Sequence, residues 1–124
     1  MDGKPRYFQP FYKLIWRKMA DVFKAIADPT RREILLMLME SSSSIGQIAE
    51  NFNMSRPAVA KHVRILENAK LLSIQHDDED GRQRNCIAQL EALKEVSDYL
   101  AQLESFWQEK FKGLGTYLSE NRKQ

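Results

Sequence analysis

Apolar side chains recur every three or four positions from about Lys13 to Ala27, at Ile15, Met19, Val22, Phe23 and Ile26, which predicts an amphipathic helix. Asp28-Pro29 then punctuates the pattern. The aspartate can accept hydrogen bonds from the free amides of a following helix, and a proline at the first helical position gives up no bond. Thr30 with Glu33 offers an alternative capping box for that second helix. It is expected to run to about Glu40 and to bury Ile34, Leu35, Leu38 and Met39. Ahead of both, residues 1–12 hold Gly3, Pro5, Pro10, Tyr7, Phe8, Phe11 and Tyr12. That mixture predicts an irregular arm whose rings pack on something, such as a partner subunit.

Ser41–Ser44 end the second helix, and Ser44 is placed to cap a third, Ile45 to Phe52. Asn53-Met54 predicts a tight turn, because asparagine tolerates the left-handed backbone. Ser55 then caps a fourth helix with Pro57 in its first turn. Ala58, Val59, Val63 and Leu66 form its buried stripe and leave Arg56, Lys61 and Arg64 outside. Beyond it Leu72 and Ile74 alternate with polar residues, as Ile87 does after Asp80-Gly81, a two-residue turn signal. A hairpin turning there sets Gln75 opposite Cys86. Residues 90–118 continue as one helix in which Leu93, Val96, Leu100, Leu103, Trp107, Leu114 and Tyr117 follow a near-heptad rhythm.

These elements make a mainly α chain, a winged helix-turn-helix with a two-stranded wing and a long C-terminal dimerisation helix. The arm covers residues 1–12 and a single domain covers 13–118, with the helix-turn-helix at 45–68, the wing at 72–88 and the dimerisation helix at 90–118. In such a motif the second helix enters the major groove of DNA.

Composition narrows the picture. At 124 residues the chain has room for one real core. Its net charge of +2 creates no global basic field, so any contact with nucleic acid must come from local clustering. One cysteine, Cys86, excludes an intramolecular disulfide and a multi-cysteine metal site. No apolar run approaches a membrane span and the first residues lack a signal-peptide core, so the expected location is the cytoplasm, away from the membrane.

The fourth helix carries the chemistry. Ser55, Arg56 and Lys61 fall within its first two turns, where an arginine can fork onto guanine and a serine can donate or accept. Pro57 and Ala58 can approach a thymine methyl. Arg64, a turn beyond Lys61, suits phosphate better than bases. Ala49 and Ala60 let the two helices approach. A merely solvated cationic face is the bland alternative, but cap, turn, small-residue spacing and following hairpin all agree on the motif.

Here D-P-T-R-R-E-I-L (28–35), the run I-G-Q-I-A-E-N-F-N-M-S-R-P-A-V-A-K-H-V-R-I-L (45–66) and D-G-R-Q-R (80–84) resemble the arsenic-repressor (ArsR) type of bacterial winged-helix regulators. The resemblance covers residues 20 to 118, and S-x-P-A-V-x-K-H is its most characteristic part. It implies a homodimer that binds operator DNA, with the first and last helices at the dimer interface. By motif, Ser55, Arg56, Pro57, Ala58, Lys61 and His62 would lie in the groove, and Arg82 and Arg84 on the wing. Metal-sensing members carry cysteines in the helix before the recognition helix, or histidine and carboxylate ligands along the last one. Residues 45–52 have no cysteine and residues 90–118 have neither histidine nor cysteine, so the chain is placed in a subgroup without the usual ligands and no metal or cofactor is expected. The acidic run Asp77-Asp78-Glu79-Asp80 at the wing tip also departs from the pattern, since it repels phosphate.

Other chemistry is thin. Asp78-Glu79-Asp80-Gly81 superficially suggests calcium, but Ile87 stands where an EF-hand needs glutamate. His76 and Cys86 are two ligands where zinc needs four. A redox role for Cys86 rests on thiolate stabilisation by Arg82 or Arg84. No nucleophile-base set or glycine-rich phosphate loop marks an enzyme. Trp16, Leu100, Leu103, Phe106, Trp107 and Phe111 are expected to form a dimer core rather than a ligand pocket. The reading is therefore a homodimeric repressor on a palindromic operator. Its alternatives are an effector- or thiol-responsive switch on the same fold, for which no small-molecule effector is indicated, and a winged helix used for protein contacts.

Overall fold

The computed structural model describes residues 10–76 and 84–122. The chain divides into two compact units, Met1–Leu93 and Lys94–Gln124. Along the first run α1 (Pro10–Ile26), α2 (Pro29–Glu40), β1 (Ser43–Ser44), α3 (Ile45–Phe52), α4 (Arg56–Asn68), β2 (Leu72–His76) and β3 (Arg84–Ala88), while α5 (Leu93–Arg122) forms the second.

Helix α1 begins at Pro10, earlier than the apolar rhythm predicts, because a proline opening a helix loses no hydrogen bond. Residues 1–9, most of the expected arm, lie outside the described residues. Met19, Val22 and Ala25 are buried, so the stripe centres on Val22 and turns Phe23, about 100° further round, out to 37% exposure. Asp28 caps α2, its Oδ2 accepting from the Arg31 amide at 3.1 Å, with Pro29 opening the helix. The alternative frame at Thr30 is not used. Ile34, Leu35 and Leu38 are buried, but Met39 is 58% exposed, a correction with the same angular cause as Phe23.

The wing holds a further correction, since its sheet has three strands in the order β1-β3-β2. Ser43 pairs with Cys86 and Ser44 with Asn85, so the serine run that ends α2 also supplies an edge strand. Two residues are too few for an alternating pattern to announce themselves. The β2–β3 register also differs by one residue: Ile74 faces Cys86, and Gln75 faces Asn85 rather than Cys86. Slipping a strand by one residue sends its side chains to the opposite face. The observed register gathers Leu72, Ile74 and Cys86 on one face, and burial of Leu72 and Cys86 there decides it. Residues 77–83, with the acidic run and Arg82, lie outside the described residues.

Both helices of the central motif end by the same device. Asn53 adopts the left-handed conformation at φ 52° and ψ 47°, and the Met54 amide donates to the Ala49 carbonyl at 2.9 Å. Lys70 repeats it after α4 at φ 63°, with the Leu71 amide donating to Leu66 at 3.0 Å and its own amide to Glu67 at 2.9 Å. Such closures satisfy end carbonyls and reverse the chain. The second places Leu71 and Leu72 in the core beside Ile34, Ile48, Val59, Val63, Leu66 and Cys86, all fully or almost fully buried.

Helix α5 starts at Leu93, the last residue of the first unit, and runs to Arg122, its 30 residues spanning about 45 Å. It starts three residues later than expected and ends four residues beyond 118. Leu100, Leu103, Phe106, Trp107, Phe111, Leu114, Tyr117 and Leu118 along it are each about half exposed or more. Trp107 and Phe111 meet edge to face with centroids 4.7 Å apart, and the Lys110 ammonium lies 5.4 Å from the Phe106 ring centroid.

Candidate nucleic-acid interface

Caps hold α3 and α4 in place. Ser44 and Gln47 form a reciprocal box: Ser44 Oγ accepts from the Gln47 amide at 3.1 Å, and Gln47 Oε1 accepts from the Ser44 amide at 2.9 Å. Ser55 Oγ accepts from the Ala58 amide at 3.3 Å and so caps α4. Its hydroxyl proton stays available to a partner, whereas one of its lone pairs is already spent on the cap. Val59, Val63 and Leu66 are buried, which leaves Pro57, Lys61 and Arg64 on the opposite, exposed side of the helix. Ala58 is half-buried at the edge of that face, and Ile65 stands beside it at 39% exposure.

Two sequence-predicted residues sit differently. Arg56 is exposed, but its guanidinium lies back against the first turn of α3, at Gly46, instead of projecting with Lys61 and Arg64. His62 is turned inward and corrects the expectation that it lies in the groove. Its Nδ1 stands 3.4 Å from Arg31 Nη1 and 3.8 Å from Asp28 Oδ2. The reason is angular: His62 directly precedes the buried Val63, on the flank of α4 that packs towards α2.

The D-P-T-R-R segment thus acquires a physical role that periodicity does not reveal. Arg31 Nε donates to the Ala25 carbonyl at 2.7 Å and Nη2 to Lys24 at 2.9 Å, while Arg32 Nη1 donates to Ile26 at 2.9 Å. Two arginines of α2 satisfy the orphan carbonyls at the end of α1, where the helix dipole also favours cations. Paired arginines three residues after a helix-breaking Asp-Pro were the available signal. Arg84, at the start of β3, is exposed opposite His76. Carboxylates gather elsewhere, with Glu33, Glu40 and Glu50 lining open hollows along α2 and α3. Those carboxylates stand apart from Lys61 and Arg64, so a locally cationic face of α4 is compatible with a net charge of only +2.

Residues 28–73 match the model of the family described as bacterial regulatory protein, arsR family. Over 55 residues, 44% of this chain, the sequence is 49% identical to the transcriptional repressor SdpR of Bacillus subtilis, and that match spans 61% of SdpR. Among solved structures, an ArsR-like transcriptional regulator from Rhodococcus sp. RHA1 superposes with a TM-score of 0.73 at 26% identity, covering 85% of this chain and 94% of that one. Over residues 28–73 the chain is similar to the arsR family, and it spans less than two thirds of the length of the curated relatives it matches. A homodimeric winged helix-turn-helix DNA-binding domain from Mycobacterium bovis shares the fold at 18% identity and a TM-score of 0.60, covering 91% of this chain and 95% of that one. The matched relatives are named as transcription regulators.

The sulfur chemistry departs from the sequence expectation. Cys86 is fully buried. Burial first, and then the Glu67 carboxylate, push its thiol above the ordinary value near 9.0. Among the described residues the one charge acting on it is negative. The folded state therefore holds the thiol proton to higher pH than the unfolded chain does. That contribution to stability is complete below the unfolded value and is lost as pH rises through the folded one. Denaturation from pH 8 to 11 should show an alkaline loss of stability that a Cys86→Ala chain lacks in that window. Thiol reagents should modify the folded chain only as fast as it opens. Labelling at the rate of a free thiol would contradict this placement.

Proposed function

We propose that this chain is a sequence-specific DNA-binding transcriptional regulator, a homodimeric repressor that occupies a palindromic operator and so blocks a promoter. The observation that carries the reading is the outer face of α4, where Pro57, Lys61 and Arg64 stand exposed on a helix fixed by caps at Ser44 and Ser55. Arg56 from its seat on α3, Lys61 and the free proton of Ser55 address base edges, Pro57 and Ala58 meet thymine methyls, and Arg64 grips phosphate. Arg82 and Arg84 of the wing reach the backbone. Two copies paired through α5 and the Trp16 side of α1 offer two recognition helices to successive major grooves about 34 Å apart. The named repressor relative and the homodimeric neighbour of the same fold support this reading.

The regulator acts in the cytoplasm and belongs to a subgroup without the usual metal-sensing ligands. Residues 45–52 contain no cysteine, residues 90–118 contain neither cysteine nor histidine, and no cluster of three or more His, Cys, Asp or Glu side chains suited to a metal occurs among the described residues. No helix among those residues is long and apolar enough to cross a membrane.

Selection of duplexes from a random-sequence DNA pool, followed by footprinting, tests the proposal. The expected result is an imperfect palindrome with two protected half-sites one helical turn apart. Recovery of no enriched sequence at low salt would sink it. A second measurement apportions the contacts. Arg64→Ala should weaken selected and scrambled duplexes alike and, by removing one phosphate contact from each protomer, reduce the salt slope of log K by about 1.8. Lys61→Ala should cost about 1–3 kcal/mol on the selected duplex beyond its loss on scrambled DNA. Equal losses for Lys61→Ala on both duplexes would reassign Lys61 to phosphate.

A further inference from the structure

Gly46 lies inside α3, in ordinary helical backbone, where no turn or left-handed conformation calls for glycine. An alanine there would favour the helix, so the missing side chain works against α3 unless the vacated space has a use. One group borders that space. A Cβ on Gly46 would stand 3.1 Å from Arg56 Nη2, 3.3 Å from Cζ and 3.5 Å from Nε. Three atoms of one planar group face the same point, so the guanidinium lies along the first turn of α3 and packs closely against the place a methyl would take.

We infer that Gly46 is a positioning residue for Arg56: it seats the first cation of α4 against α3 before DNA arrives. The inference rests on the DNA-binding reading of α4 and deepens it. Arginine side chains have many rotamers, and fixing one in advance removes part of the entropy otherwise lost on binding. The seat also directs Arg56 to the junction of the two helices, apart from Lys61 and Arg64 on the outer face. Adding a methyl at Gly46 presses only on the far end of a flexible side chain, so the fold tolerates the change while the guanidinium has to move a few tenths of an ångström out of its seat.

The test compares the full-length wild type with Gly46→Ala, Arg56→Ala and the double variant on the duplex that the wild type selects from a random pool. Gly46→Ala should melt at or above the wild-type temperature and yet bind about three- to tenfold more weakly. In the Arg56→Ala background the same substitution should cost nothing further. In free protein, nuclear Overhauser contacts between the Gly46 Hα protons and the Arg56 guanidinium should be present. Wild-type affinity in Gly46→Ala, an undiminished loss in the Arg56→Ala background, or absence of those contacts each overturns the positioning role and leaves the DNA reading standing. A wild type that selects no duplex overturns the DNA reading and this inference with it.

Discussion

A Leu103→Asp chain is expected to sediment as a monomer at micromolar concentration and to bind its selected duplex at least about a hundredfold more weakly than wild type. Leu100, Leu103 and Trp107 recur along α5 at alternating spacings of three and four, and all are about half exposed. Phe106 and Phe111 widen the stripe, at 60% and 55% exposure. Apolar surface of this extent on a 30-residue helix is costly to leave in water, and in the proposed homodimer a second copy would cover it with the same stripe. A carboxylate at Leu103 would be buried without a partner in the middle of that seam, which desolvation makes prohibitive. The DNA effect follows from valency, because tethered half-site binding gains two to four orders of magnitude over a single engagement. Helix content should stay near wild type, since aspartate at an exposed helical position costs only about 0.7 kcal/mol. Sedimentation velocity and fluorescence anisotropy at matched salt check both halves. A dimeric Leu103→Asp chain with intact affinity would remove α5 from the interface.

Local grammar made much of this fold legible. Asp28-Pro29, Ser44, Asn53 and Ser55 each act within four residues of themselves, and each starts or ends the helix that its chemistry predicts. What escaped depends on partners distant in sequence. Met39 and Phe23 fit a helical rhythm but lie about 95–100° from the centre of the buried stripe, and only the neighbouring elements decide where that centre falls. Ser43–Ser44 becomes a strand because β3 comes alongside, not because two serines prefer to be extended. Lys70 takes a left-handed turn usually given to glycine, since closing α4 there drives Leu71 into the core. In the site the same division holds. Exposure of Lys61 and Arg64 follows from the period of α4, whereas the inward turn of His62 and the seat of Arg56 depend on α2 and α3.

The second large effect should come from Arg31→Ala, which is expected to destabilise the first unit by about 2 kcal/mol. One guanidinium ties three elements together: Nε to the Ala25 carbonyl at 2.7 Å, Nη2 to the Lys24 carbonyl at 2.9 Å, and Nη1 beside His62 Nδ1 at 3.4 Å. Charge-assisted bonds of this kind are worth about 1.5–3 kcal/mol each when protected from water, but the Lys24 bond is exposed and counts for less. Truncation leaves two carbonyls at the negative end of α1 without their cation and removes the bridge from that end to α4. A loss of about 2 kcal/mol is a large share of the 5–15 kcal/mol typical of a domain. It should lower the melting temperature by about 10 °C. Arg32→Ala is the control, because its bonds to Ile26 at 2.9 Å and Ala27 at 3.3 Å are both exposed; its loss should stay under about 1 kcal/mol. Arg31→Lys should recover less than half of the loss, since an ammonium cannot span the fork. Through the His62 contact the same change loosens the anchor of α4 on α2, so binding to the selected duplex should weaken even at temperatures where the chain stays folded. Equal stabilities for Arg31→Ala and Arg32→Ala in thermal and urea denaturation would show that burial of Arg31 confers nothing, and the junction would then be held by apolar packing alone.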